Sequence, residues 1–147
     1  MQEPMLRALL AGEVDLFREH LKNFAEKVFS YYDVGQGQTE HLYHAFFLGL
    51  LARYEYAYHI RSNRESGRGR YDIALFPKDP ARCGVLIELK SPGSFKEETL
   101  DHALAVAEKQ LKNRKYDTEM VASGIEKVVR VAIAVQGKEA RVKEISS

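Results

Sequence analysis

Apolar residues in the first third of the chain recur with the spacing of an α-helix. An amphipathic helix is predicted over about residues 13–29, with its apolar stripe at Phe17, Leu21, Phe24 and Val28. A loop is expected over about residues 31–38, followed by Thr39, a residue type that favours helix N-termini. The clearest helical stripe then comprises Tyr43, Phe46, Phe47, Leu50, Leu51 and Tyr54. Glu40 and His44 lie at the margin of this stripe, because side chains three or four residues apart share a helix face.

Shorter apolar runs in the rest of the chain predict strands and one further helix. Strands are expected over about residues 54–60, 70–76, 84–90, 128–135 and 140–145. The helix between the third and fourth strands has its stripe at Leu100, Ala103, Leu104, Ala107 and Leu111. The order helix, helix, three strands, helix, strand, strand implies a mixed α/β or α+β sandwich, in which helices flank a central mixed sheet.

Composition narrows the class of protein. A chain of 147 residues suits one domain, large enough to bury a core without disulfides. Cys83 is the only cysteine and can form neither an internal disulfide nor a Cys-rich metal site, so we expect a reducing compartment. No apolar run approaches the roughly 20 residues that span a membrane, and the N-terminus lacks a signal-peptide pattern. The sequence therefore predicts a cytoplasmic protein without a membrane partner.

Charge is divided unequally along the chain. Residues 1–60 carry 5 basic and 8 acidic side chains, whereas residues 61–147 carry 17 and 13, although the net charge of the whole chain is only +1. The second part contains two basic clusters, Arg61, Arg64, Arg68 and Arg70 in one predicted loop, and Lys109, Lys112, Arg114 and Lys115 near one helix end. Both are plausible contacts for nucleic-acid phosphates. From charge alone, two solvated surfaces are an equal alternative.

Candidate chemistry is concentrated in two successive predicted strands. Because side chains alternate across a strand, Asp72 shares a face with Ala74, and Glu88 shares one with Lys90. If these strands are neighbours, Asp72, Glu88 and Lys90 can converge at one site. Two carboxylates suit Mg²⁺, which prefers oxygen ligands and keeps several of its waters. The lysine then either holds the attacking water or stabilises negative charge that develops on a phosphate.

A plainer interpretation of the same residues is an ordinary ion pair. Glu88 lies in an almost wholly apolar strand, and a buried charge there needs either a partner or a metal ion. Lys90 near a sheet edge supplies such a partner without any chemistry. On spacing alone, this structural interpretation is favoured.

A family resemblance shifts the balance towards function. Asp72 followed by Glu88-Leu89-Lys90 resembles the D-(x)n-(D/E)-x-K core of PD-(D/E)XK nucleases, although Tyr71 stands where the motif has proline. Several blocks are similar to the nuclease-like domain found at the C-terminus of many AAA-ATPase-like proteins of bacteria and archaea. In chain order they are Glu40 with Tyr43-His44, Leu48-Gly49-Leu50-Leu51, Ser62 to Gly67 with Gly69 to Ile73, Pro77-Lys78-Asp79, Ile87 to Lys90, Gln110 with Lys115-Tyr116, and Gly124-Ile125. Together these blocks span nearly the full chain.

The resemblance implies a restriction-endonuclease-like core and a role for each matching residue. Asp72 and Glu88 are expected to bind Mg²⁺ or Mn²⁺, and Lys90 is expected to be the catalytic lysine. Glu40, on the first core helix, is expected to support the metal site and complete the catalytic set. The whole chain is then one nuclease-like domain, in which about residues 1–38 are a helical lead-in and the remainder is the core.

Further residues are expected to line the site. The resemblance implies that Gln110 and Tyr116 line it or position the phosphate backbone. The loop that contains Arg64 and Arg70 leads to Asp72 and is a candidate contact for the substrate backbone; a salt-bridged connection is an equal alternative. His44 is a partner of Glu40, a direct metal ligand, or a histidine hydrogen-bonded at the edge of the core, the last being the commonest case.

The sequence thus predicts a metal-dependent nuclease that hydrolyses phosphodiester bonds of nucleic acid, with DNA as the expected substrate. The alternative is a catalytically silent module that binds nucleic acid or protein and serves a fused or separate AAA-type ATPase. An intact Asp72, Glu88 and Lys90 favours the enzyme, because a binding module gains nothing from charges that are costly to desolvate.

Overall fold

The computed structural model of the chain describes residues 2–29, 39–62, 72–92, 99–113 and 118–145. The helices are α1 (Gln2–Ala11), α2 (Val14–Phe29), α3 (Thr39–Leu51), α4 (Leu100–Asn113) and α5 (Thr118–Ala122), with a short 3-10 turn (Ala52–Tyr54) directly after α3. The strands are β1 (Tyr58–Ser62), β2 (Ile73–Pro77), β3 (Gly84–Lys90), β4 (Val128–Gln136) and β5 (Glu139–Glu144).

The strands of the described chain form one mixed sheet in the order β1-β2-β3-β4-β5. β3 and β4 are parallel, whereas every other neighbouring pair is antiparallel. Parallel neighbours need a crossover connection, and the segment that includes α4 provides it, with α4 packed on β3 and β4. β3 is therefore the central strand, and its carboxyl end lies beside that of β4, where Lys90 pairs with Ala134.

Alternate residues of the central strands enter two separate cores. Ile73 and Ile87 join the larger core, which they share with apolar residues of α1, α2 and α3. Ala74 and Leu86 join a second core, which includes Ala107 of α4. This alternation follows from the two-residue period of a strand. Helices therefore cover both faces of a five-stranded mixed sheet, which confirms the predicted fold class.

The N-terminal helices are part of the larger core. Met5 and Leu9 of α1 and Phe17 and Leu21 of α2 are each at most 1% exposed. α2 also packs along β5, where the Arg18 side chain donates a hydrogen bond to the carbonyl of Val142. In the described part of the chain, no helix has both the length and the apolar character required to cross a bilayer.

The structure differs from the sequence-based prediction at the start of the first strand and contains two helices, α1 and α5, that were not predicted. The first strand begins at Tyr58, because Tyr54 ends the 3-10 turn and residues 55–57 form a further turn. The Tyr54 hydroxyl donates a hydrogen bond to Glu3 in α1. Aromatic composition favoured a strand there, but a contact with a distant helix determines the local conformation. The amphipathic stripe is also preceded by α1, which Gly12 separates from α2 with a φ of 80°, a conformation that favours glycine.

Candidate active site

The carboxyl end of β3 carries a buried acid beside a lysine. Glu88 is 2% exposed although every other residue of β3 before Lys90 is apolar or glycine. The Nζ atom of Lys90 lies 3.7 Å from Oε1 of Glu88, and the Lys90 side chain is 28% exposed. Because Leu86 lies in the core under α4, alternation along the strand directs Glu88 and Lys90 towards that same face. The strand end therefore pairs an enclosed carboxylate with an ammonium group that solvent can reach.

Asp72 brings a second buried carboxylate to the same strand end. It directly precedes β2, is 7% exposed, and its backbone N–H donates to the carbonyl of Ile87. Its Oδ2 atom accepts a hydrogen bond of 2.7 Å from the backbone N–H of Leu89. Leu89 stands between Glu88 and Lys90 in β3, so the backbone beside both residues fixes the carboxylate of Asp72. The structure thus gathers Asp72, Glu88 and Lys90 at one end of the β2-β3 pair.

Glu40 reaches this end of the sheet from α3. Its Oε1 atom accepts a hydrogen bond of 3.1 Å from the backbone N–H of Ser91, the residue that follows Lys90. His44 lies one turn further along α3 and is 8% exposed. Its Nε2 atom is 2.9 Å from the hydroxyl oxygen of Ser62 at the end of β1. One face of α3 therefore connects the ends of β3 and β1.

Of the remaining expected site residues, Gln110 is the one that lies among the described residues. Gln110 is half-buried near the end of α4, next to Leu111, which packs in the same core as Leu86. Its role as a site-lining residue stays a prediction. Arg64, Arg70 and Tyr116 lie outside the described residues, so their roles also stay predictions.

The donor atoms at this strand end suit a hard divalent cation. Asp72 and Glu88 contribute carboxylate oxygens, which Mg²⁺ and Mn²⁺ prefer. Within residues 2–29, 39–62, 72–92, 99–113 and 118–145, no group of three or more His, Cys, Asp or Glu side chains is arranged to hold a metal ion. Two carboxylates with waters are compatible with Mg²⁺, which keeps several waters when it binds a protein. A role for Glu40 as a further ligand stays a prediction.

Two contacts at the site have no counterpart in the sequence analysis. The backbone amides of Leu89 and Ser91 hold the carboxylates of Asp72 and Glu40. These partners are separated by 17 and 51 positions in the chain, and every residue other than proline carries a backbone amide. Residue type therefore gave no indication of them.

The fold and the site together define a class of protein. A five-stranded mixed sheet flanked by helices, with Glu88 and Lys90 at the end of its central strand and Asp72 beside them, is consistent with a restriction-endonuclease-like fold. The chain belongs to the PD-(D/E)XK nuclease superfamily, whose family model matches residues 38–145. Nucleases of this superfamily generally use divalent metal ions. A comparison with curated proteins gave no match.

Proposed function

We propose that this chain is a metal-dependent nuclease that hydrolyses phosphodiester bonds, with DNA as its substrate and Mg²⁺ or Mn²⁺ as its cofactor. The observation that carries the proposal is the burial of Glu88 beside Lys90, with Asp72 held at the intervening Leu89 amide. Burying two carboxylates at a strand end is costly in desolvation, and the cost is offset when the carboxylates bind a cation.

Asp72 and Glu88 are the residues proposed to hold the metal ion. A bound divalent ion supplies Lewis-acid chemistry, since it polarises the phosphate and lowers the pKa of a bound water. Asp72 is suited to this role because the Leu89 amide fixes one of its oxygens. Glu88 is suited to this role because a carboxylate buried to this extent has little hydration for a metal ion to displace.

Lys90 is proposed to act on the reacting atoms. Its ammonium group is partly exposed and remains within reach of Glu88, so it can meet a substrate at the mouth of the site. There it holds the attacking water or stabilises the charge that develops on the phosphate. Glu40 is proposed to fix the backbone directly after Lys90 through the Ser91 amide, and His44 to anchor the end of β1.

The remaining elements of the proposal concern the setting of the enzyme. Arg64 and Arg70 are proposed to contact the nucleic-acid backbone, and Gln110 and Tyr116 to line the site. The excess of basic over acidic side chains after residue 60 supports a polyanionic substrate. A cytoplasmic location, which the composition of the sequence predicts, and an AAA-type ATPase partner, fused or separate, which the sequence resemblance implies, are part of the same proposal.

A cleavage assay tests the proposal. Supercoiled plasmid and single-stranded DNA are incubated with the chain in Mg²⁺, in Mn²⁺ and in EDTA. Lys90→Ala is compared with Lys127→Ala, a matched control that removes an exposed lysine preceding β4 at the opposite end of the sheet. We expect cutting that depends on the metal, is about 10²–10⁴-fold slower in Lys90→Ala, and is unchanged in the control. Binding without cutting, the same in all three proteins, would instead favour a silent module.

A further inference from the structure

A second charged cleft lies at the open edge of β5. It has a volume of about 570 Å³ and is bounded by α2, the start of α4 and the β4–β5 hairpin. We call it the β5-edge groove. It contains four basic side chains, Arg18, Lys22, Lys138 and Arg141. Two acidic side chains, Glu26 and Glu139, also line it, so cations outnumber carboxylates by two to one.

The groove lies at the same end of the sheet as the candidate active site. Lys90 is in register with Ala134 of β4, which is in register with Arg141 of β5. Neighbouring strands are about 4.8 Å apart, so the backbones of Lys90 and Arg141 are separated by roughly 10 Å. Residues in register on adjacent strands share a face, and Ala134 packs with Leu100 of α4. Lys90 and Arg141 therefore project from the same face of the sheet.

The protein holds the basic side chains of the groove only weakly, apart from the Nε atom of Arg18, which donates to the carbonyl of Val142. Lys22 and Lys138 make no hydrogen bond or ion pair with the part of the chain that the structure describes. Arg141 pairs with Asp101, whose side chain is 77% exposed, and Arg18 pairs with Asp15, whose side chain is 96% exposed. Ion pairs this exposed are worth about 0–1 kcal/mol, so an anionic ligand can displace them at little cost.

We propose that the β5-edge groove binds the phosphate backbone of a nucleic acid whose scissile bond lies at Lys90. This inference rests on the proposed function and extends it. A nucleic-acid strand advances about 3.4 Å per nucleotide, so a separation of roughly 10 Å corresponds to about three nucleotides. Arg18 and Lys22 belong to α2, which precedes the matched residues 38–145. Under this proposal, α2 contributes to substrate binding as well as to the core.

The same geometry disfavours a peptide added to the edge of β5. Strand addition needs unpaired backbone groups along the edge. The carbonyl of Val142 already accepts a hydrogen bond of 3.0 Å from the Nε atom of Arg18. An acidic peptide therefore cannot form a continuous backbone ladder along β5, whereas a phosphate backbone requires only the cationic side chains.

The test is the salt dependence of DNA binding in EDTA, where no cutting occurs. A fluorescent oligonucleotide, single-stranded and as a duplex, is titrated at salt concentrations between about 50 and 200 mM. Lys22→Ala/Lys138→Ala is compared with Lys78→Ala/Lys127→Ala, which removes the same charge at the opposite end of the sheet. We expect the groove variant to reduce the slope of log K against log salt by about 1.8 for duplex and about 1.4 for single strands. The control variant should keep the slope of the original protein.

An unchanged slope in the groove variant, with its melting temperature preserved, overturns the inference. It is also overturned if a poly-glutamate peptide binds more tightly than the oligonucleotide and only peptide binding depends on Lys22 and Lys138. Failure of the nuclease proposal gives a different result: no metal supports cutting, while the groove variant still reduces the slope. Glu139→Gln provides an independent check, because removing an acid from the groove should strengthen DNA binding if phosphates occupy it.

Discussion

At the scale of single residues, Asp72 combines a structural and a chemical task. One carboxylate oxygen accepts a hydrogen bond from the backbone N–H of Leu89. The negative charge is needed only if a cation binds, since a second buried carboxylate near Glu88 is unfavourable by itself. Amide and alkyl replacements of Asp72 can separate these two tasks.

Asp72→Asn should fold and lose its response to metal. The asparagine carbonyl can still accept the Leu89 N–H, so its melting temperature in EDTA should equal or exceed that of the original protein. We expect excess Mg²⁺ to raise the melting temperature of the original protein but not that of Asp72→Asn. Asp72→Ala is the matched comparison: it leaves a buried amide unsatisfied and should lose about 1–3 kcal/mol even in EDTA. Equal stability of the two variants in EDTA contradicts the structural role of Asp72.

Two glycines should respond in opposite ways to alanine. A Cβ atom at Gly84 would lie 2.5 Å from the sulfur of Met120, so Gly84→Ala forces Met120 to move and should destabilise the chain by about 1–3 kcal/mol. A Cβ atom at Gly49 in α3 meets nothing within 4 Å, so Gly49→Ala should stabilise it by about 0.5–1 kcal/mol. Urea denaturation measures both free energies of unfolding. A Gly84→Ala variant as stable as the original protein would contradict the close packing of Gly84 against Met120.

At the scale of elements, α4 is held over the sheet by charge as well as by apolar packing. Glu108 accepts hydrogen bonds from Lys143 of β5 and from Lys112 one turn along α4, at 2.9 Å each. The contact with Lys143, followed by that with Lys112, lowers the pKa of Glu108 from its usual 4.5. The carboxylate form is therefore favoured in the folded chain relative to the unfolded one.

This pKa shift predicts a stability contribution that is lost in acid. The contribution is complete above pH 4.5, the unfolded value, and declines as the pH falls through the lower folded pKa. Glu108→Gln should lower the free energy of unfolding by about 0.5–1 kcal/mol at pH 7, and this difference should shrink as the pH falls below 4.5. Glu126→Gln, which removes an exposed acid before β4, is the control and should show no such trend. A difference that grows on acidification contradicts the pairing.

At the scale of the whole molecule, the sequence predicted features that depend on local patterns better than features that depend on tertiary contacts. The two-residue period was sufficient to predict that Ala74 shares a face with Asp72 and that Glu88 shares one with Lys90, because alternation is a property of the strand itself. The predicted start of β1 was wrong because the contact between Tyr54 and Glu3, 51 positions apart, overrides local propensity. The β5-edge groove could not be predicted, since its cations become neighbours only when α2 packs beside β5.

The N-terminal helices should be indispensable for folding. Deleting residues 1–38 removes α1 and α2 from the larger core and uncovers apolar side chains of the sheet, such as Val131 and Ile133. We expect the shortened chain to aggregate or to bind hydrophobic dyes without a cooperative thermal transition. Circular dichroism and size-exclusion chromatography measure this. A soluble monomer with a sharp transition would show that the matched residues fold without the helices.

Calorimetric titration with Mn²⁺ tests most directly whether Asp72 and Glu88 bind one divalent ion beside Lys90. We predict that the original protein binds Mn²⁺ at one site and that Asp72→Asn and Glu88→Gln each abolish this binding. Lys90→Gln, which removes a neighbouring positive charge, should bind Mn²⁺ at least as tightly while losing cleavage. Undiminished Mn²⁺ binding in both carboxylate variants would contradict the account.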